Sequence, residues 1–160
     1  MLLDPGNVFA NVRASDSIDV LTQMATHLIA RGYVKDSFLA AVCEREAEFP
    51  TGLPGRDFGI AIPHADSVHV IKPGAALATL LAPVPFYNMG NPDEQLDVKI
   101  VCMLLVEDPD KQLEWLSGLM TGLVQNHDLL QRLVACTTPT ELYDMYLSSK
   151  LSSKLSGKLS

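Results

Sequence analysis

GIAIPH, residues 59–64, is a short apolar run that stops at a proline and then presents a histidine. Pro63 fixes one backbone angle and carries no amide donor, so the run ends there and holds His64 on a stiff support. With Phe58 in front, it is the first of three such runs. The others are ALATLLAPVPF (76–86) and VKIVCMLLV (98–106). Each is bounded by Gly, Pro or Asp and reads as a largely buried strand.

The flanking segments carry helical spacing. Residues 17–31, SIDVLTQMATHLIAR, place Ile18, Leu21, Met24, Leu28 and Ile29 on one face, with Asp16 or Ser17 as cap and Gly32 as stop. A second helix fits KDSFLAAVCEREAEF (35–49) and ends before Pro50. Beyond the third strand, Asp108 caps a helix with Pro109 at its first position and a predicted buried stripe of Leu113, Leu116, Met120 and Leu123. Another short helix starts after Asn126, and a last one covers about Thr140 to Leu147. Helices, then strands, then helices around one core indicate an α/β sandwich with a central mixed β-sheet flanked by helices.

The totals set outer limits. The 160 residues suit one domain, expected to span residues 1–147. Residues 148–160 repeat Ser, Lys and Leu every four positions with too little apolar content to fold alone, so they are expected to form a flexible tail. No run approaches the roughly 20 apolar residues of a membrane span. The N-terminal MLLDPGNVF lacks the regions of a signal peptide, which points to the cytoplasm. Residues 1–147 hold nine Lys and Arg against 19 acids, a balance of −10. With no basic stripe for a phosphate backbone to follow, nucleic acid is excluded as a partner. Cys43, Cys102 and Cys136 form no CxxC pair and read as structural residues.

Among the four histidines, His27 flanks the stripe of the first helix and His127 falls in the first turn of a late one. His64 and His69 are five apart with Asp66 between them, which raises a zinc hydrolase as one reading. The familiar helical zinc pair is four apart, however, and no third soft ligand is near, so neither metal nor cofactor is expected. Arg45, at the end of the second helix, offers a different chemistry: a nucleophilic imidazole beside a guanidinium fork suits covalent handling of a phosphoryl group. Arg45 could equally be a solvated partner of Glu44 or Glu48.

REAEFPTGL (45–53) and IAIPHADSVH (60–69) resemble the enzyme IIA domain of the bacterial phosphoenolpyruvate:sugar phosphotransferase system. The resemblance is to the mannitol–fructose superfamily, and within it to galactitol-type IIA proteins. It runs from about Ile18 to Leu147 and includes VCMLLVEDPDKQL (101–113). It implies an α/β sandwich on a mixed sheet. It also implies that His64 accepts phosphate from HPr and passes it to a cysteine of a IIB partner, with the membrane permease IIC served indirectly. Arg45 would steady the phosphoryl oxygens. Many relatives carry a second active-site histidine where this chain has Lys111-Gln112, an absence shared with the galactitol type; Gln112 could still donate a hydrogen bond but cannot titrate. The alternative within the family is a regulatory IIA-like module whose phosphorylation state controls protein binding.

Overall fold

A computed structural model describes residues 3–149, apart from the side chains of 119–121. Five strands, β1 (Leu3–Val12), β2 (Gly52–Leu53), β3 (Gly59–Ala61), β4 (Gly74–Asn88) and β5 (Asn91–Leu105), form one sheet. β1 runs parallel to β4 and β3 parallel to β5, whereas β4 and β5 are an antiparallel hairpin. The sheet is therefore mixed, as the sequence predicts. Helices α1 (Ser17–Ala30) and α2 (Phe38–Glu48) cover one face; α3 (Pro109–Leu119), α4 (His127–Ala135) and α5 (Pro139–Ser148) cover the other.

The apolar runs are nearly continuous because both faces are buried. Ile100, Cys102 and Leu104 of β5 pack toward Trp115, Leu130 and Leu142 of the α3–α5 layer. Their neighbours Val101, Met103 and Leu105 pack toward Leu21, Met24, Leu28, Phe38 and Val42 of α1 and α2. Period-two alternation thus feeds two cores from one strand. Asp16 caps α1 by accepting from the Asp19 amide at 2.8 Å, and Gly32, with φ +76°, ends it. Asn126 caps α4 and Thr138 caps α5 in the same way.

Three features depart from the sequence expectations. β1 precedes α1 where no strand is predicted; its Pro5-Gly6 pair and Asn11, at φ 52°, disguise an irregular strand paired to β4. The β4–β5 hairpin extends through residues 87–97, between the two predicted runs, and a register shift between Thr79 and Val84 bends its outer half, where Asn88 pairs with Gly52. On α3, Leu113 is 77% exposed, while Trp115 takes the buried position; Leu116 of the same helix and Leu123 beyond its end belong to the same core. The indole has more apolar area to bury than a leucine, so the helix turns that face inward. Met120 of the expected stripe has no described side chain, and residues 150–160 of the expected tail lie outside the described residues. No helix among the described residues is long and apolar enough to cross a membrane.

Candidate active site

The C-terminal end of β3 is pinned from three sides. The Ile62 amide donates to both the carbonyl oxygen and Oγ1 of Thr51, at 3.3 and 3.2 Å. Next, the Pro63 carbonyl accepts from the Leu104 amide of β5 at 3.0 Å. Finally, the Ile62 carbonyl lies 2.9 Å from Nδ1 of His64. A carbonyl can only accept, so Nδ1 carries the proton, and in the neutral ring Nε2 keeps a free lone pair.

His64 is 4% exposed. That burial pushes its pKa below the ordinary 6.5; the Ile62 carbonyl opposes the shift, the Arg45 charge adds to it and Asp66 works against it. The imidazole is held neutral, the form that a nucleophile requires.

Arg45, in the last turn of α2, stands over the Phe49 ring at 5.7 Å. Its Nη1 faces Asp66 at 3.8 Å, a long ion pair, and its buried Nε has no hydrogen-bond partner. It pairs with neither Glu44 nor Glu48. Beside it lies a cleft of about 280 Å³ lined by Ala41, Glu44, Arg45, Glu48, Phe49, Asp66 and His69, with His64 outside that lining. The residues around the 3-10 turn Ser67–His69 are strapped to the α1–α2 connection: Lys35 donates to the His69 carbonyl at 2.9 Å, and Ile71 donates to that of Tyr33 at 2.9 Å.

The chain matches the family model of the phosphoenolpyruvate-dependent sugar phosphotransferase system, EIIA 2, over residues 1–149. It belongs to the enzyme IIA family. The galactitol-specific EIIA component of Escherichia coli K12 is 34% identical to this IIA chain over 119 residues, which cover 74% of this chain and 78% of the relative. Two solved structures share the fold. IIA mannitol from E. coli superposes with a TM-score of 0.75 at 21% identity, covering 91% of this chain and 99% of that one. The complex of E. coli enzyme IIA mannitol with phosphorylated enzyme IIB mannitol gives 0.73 at 20% identity, covering 95% and 98%. This IIA protein is a component of a phosphotransferase system.

Of the residues singled out in the sequence, the IIA fold brings His64, Arg45 and Asp66 together. His69 lines the same cleft as Arg45 and Asp66, with its Nδ1 2.7 Å from Ser37 Oγ. His27 bonds the Gly6 carbonyl at 2.6 Å, and His127 meets Asp57 at 3.4 Å. Gln112 sits half-buried in the first turn of α3 with no hydrogen bond to His64 or Arg45. Glu46 carries no signal in the sequence. It is 7% exposed and accepts from the amide and hydroxyl of Thr51, both at 2.7 Å. Its place beside Arg45 on a helix of charged residues makes it look solvated. Only the packing of α2 against the Pro50–Leu53 segment shows otherwise.

Proposed function

We propose that this IIA component carries phosphate on Nε2 of His64, taking it from HPr and delivering it to a cysteine of its cognate IIB protein for uptake of a sugar or polyol. The Nδ1–H···O=C bond to Ile62 carries this reading, because it leaves one lone pair, on Nε2, for attack on phosphorus. As the bond to the donor breaks and the N–P bond forms, the ring gains positive character, and the Ile62 carbonyl stabilises it at Nδ1. Arg45, whose partly exposed guanidinium is only loosely held by Asp66 through Nη1, has donors to offer the equatorial phosphoryl oxygens. Attack by the IIB thiolate returns the imidazole to its neutral state. Both half-reactions are mainly positioning and charge stabilisation, which these residues supply. Gln112, whose amide makes no hydrogen bond among the described residues, is proposed as a further donor to the oxygens or the ring. Its replacement by alanine should cost less than that of Arg45.

The galactitol-specific relative, at 34% identity, makes galactitol the first substrate to test. The permease IIC enters only through IIB, and the site of action is the cytoplasm. The experiment is incubation with phosphoenolpyruvate, enzyme I and HPr, followed by mass mapping. An acid-labile, base-stable adduct on His64, absent in His64→Gln, is the expected result. Label on His69, or on any residue of the His64→Gln variant, would refute the assignment.

A further inference from the structure

We infer that Glu46 and Thr51 are positioning residues that hold His64 in its reactive tautomer. A chain of hydrogen bonds runs from α2 to the imidazole. Both carboxylate oxygens of Glu46 are used on Thr51, at 2.7 Å each. Thr51 in turn accepts from the Ile62 amide through Oγ1, and the Ile62 carbonyl accepts from His64 Nδ1. Because the Thr51 hydroxyl proton is committed to Glu46, its lone pairs face the Ile62 amide. The carboxylate, which can only accept, thus fixes the one rotatable proton of the chain, on Thr51, while the Ile62 amide and carbonyl donate and accept by their nature.

The arrangement is expensive as structure alone. Glu46 and Thr51 are 7% and 2% exposed, and burying a carboxylate raises its pKa above the ordinary 4.5. An apolar pair of similar volume would join α2 to β2 without that burial, though it would leave the Thr51 amide without the acceptor that Glu46 gives it. An apolar pair would leave the Ile62 amide only the Thr51 carbonyl, at 3.3 Å; the hydroxyl adds a second acceptor at 3.2 Å and so fixes more tightly the residue whose carbonyl orders the imidazole. Ile62 is the residue that needs this anchor. Its own carbonyl belongs to a bond with Pro63, which has no amide hydrogen, so the peptide carrying the acceptor has no donor with which to tie itself down. Orienting partners behind a reactive imidazole act in this way generally: they select the tautomer and the ring angle without touching the substrate.

This inference rests on His64 as the phosphorylated residue, so its test reads two quantities. In ¹⁵N-imidazole NMR spectra, wild-type His64 should appear as the Nδ1–H tautomer. Thr51→Val, which removes the hydroxyl and keeps the shape, should raise the Nε2–H fraction and slow single-turnover phosphorylation by about tenfold, the loss of one ordinary hydrogen bond. Thr51→Ser should restore both. Glu46→Gln, a second variant should Thr51→Val fail to fold, should move both in the same direction. The inference stands only if tautomer and rate move together in a folded variant. A slower rate with an unchanged tautomer, or an unchanged rate, overturns it. Wild-type protein that accepts no phosphate refutes the proposed function instead, and the tautomer measurement still reads the hydrogen-bond chain.

Discussion

Replacing Arg45 by alanine separates a phosphoryl-binding arginine from a structural one, and the structure fixes what each would cost. On the stability side Arg45 holds little. Its contact with Asp66 is 3.8 Å long, with Asp66 79% exposed, and such a surface pair is worth well under ~1 kcal/mol. The guanidinium over Phe49 at 5.7 Å adds roughly 0.5–1 kcal/mol at a partly exposed site. The melting temperature should therefore fall by only a few degrees. On the transfer side, a charged hydrogen bond to a phosphoryl oxygen is worth roughly 1.5–3 kcal/mol, which converts to a loss on the order of tenfold to a hundredfold in rate. Arg45→Lys should recover part of this, since the ammonium keeps the charge and loses the planar fork. Single-turnover phosphorylation by phospho-HPr, with thermal melts as control, measures both quantities. Arg45→Ala that transfers at the wild-type rate would place the arginine among the structural residues and refute the reasoning.

Four further outcomes follow, two of them from the burial of His64. The folded protein holds His64 neutral where the unfolded chain, with a pKa near 6.5, takes up a proton; stability should therefore decline as pH falls below about 6.5, and His64→Gln should flatten that limb in melts run against pH. The acid limb of the phosphorylation rate should likewise lie below 6.5. A Cβ at Gly52 would sit 2.5 Å from the Tyr87 carbonyl oxygen, so Gly52→Ala must push the hairpin away and should destabilise by roughly 1–3 kcal/mol in urea unfolding. A chain truncated after Ser148 should accept phosphate at the full rate, because the repeat beyond it has no core-forming pattern; a loss of acceptance would give the tail a role.

How far the sequence can be read depends on whether a residue's partner is local. The α1 cap at Asp16, the stop at Gly32 and the Pro109 start of α3 follow from chemistry within a few residues, and the structure has all three. The buried strands betray themselves by apolar runs that supply two cores. The Pro63-His64 mount is legible for the same reason, since proline acts on its own neighbours. What escapes is long-range. β1 exists because β4 pairs with it, and its Asn11 amide finds Thr79 Oγ1 at 2.9 Å, a partner nothing nearby announces. The outer hairpin holds because Asn88 returns to Gly52. Trp115 is buried in place of Leu113 because the neighbouring layer favours the larger ring. In the site, Arg45 and His64 are legible as types of residue, whereas the Ile62 carbonyl and the Glu46–Thr51 pair are not. A backbone acceptor has no sequence signature, and a buried glutamate on a charged helix looks like an exposed one.

The claim at the centre of this account is that Nε2 of His64 carries the phosphoryl group while Nδ1 keeps its proton on the Ile62 carbonyl. Phosphorylating ¹⁵N-histidine-labelled protein with phosphoenolpyruvate, enzyme I and HPr, and reading the ¹⁵N–³¹P coupling of the adduct, tests it most directly. The account predicts coupling at Nε2 of His64 and a retained Nδ1–H; coupling at Nδ1, or at a different residue, would contradict it.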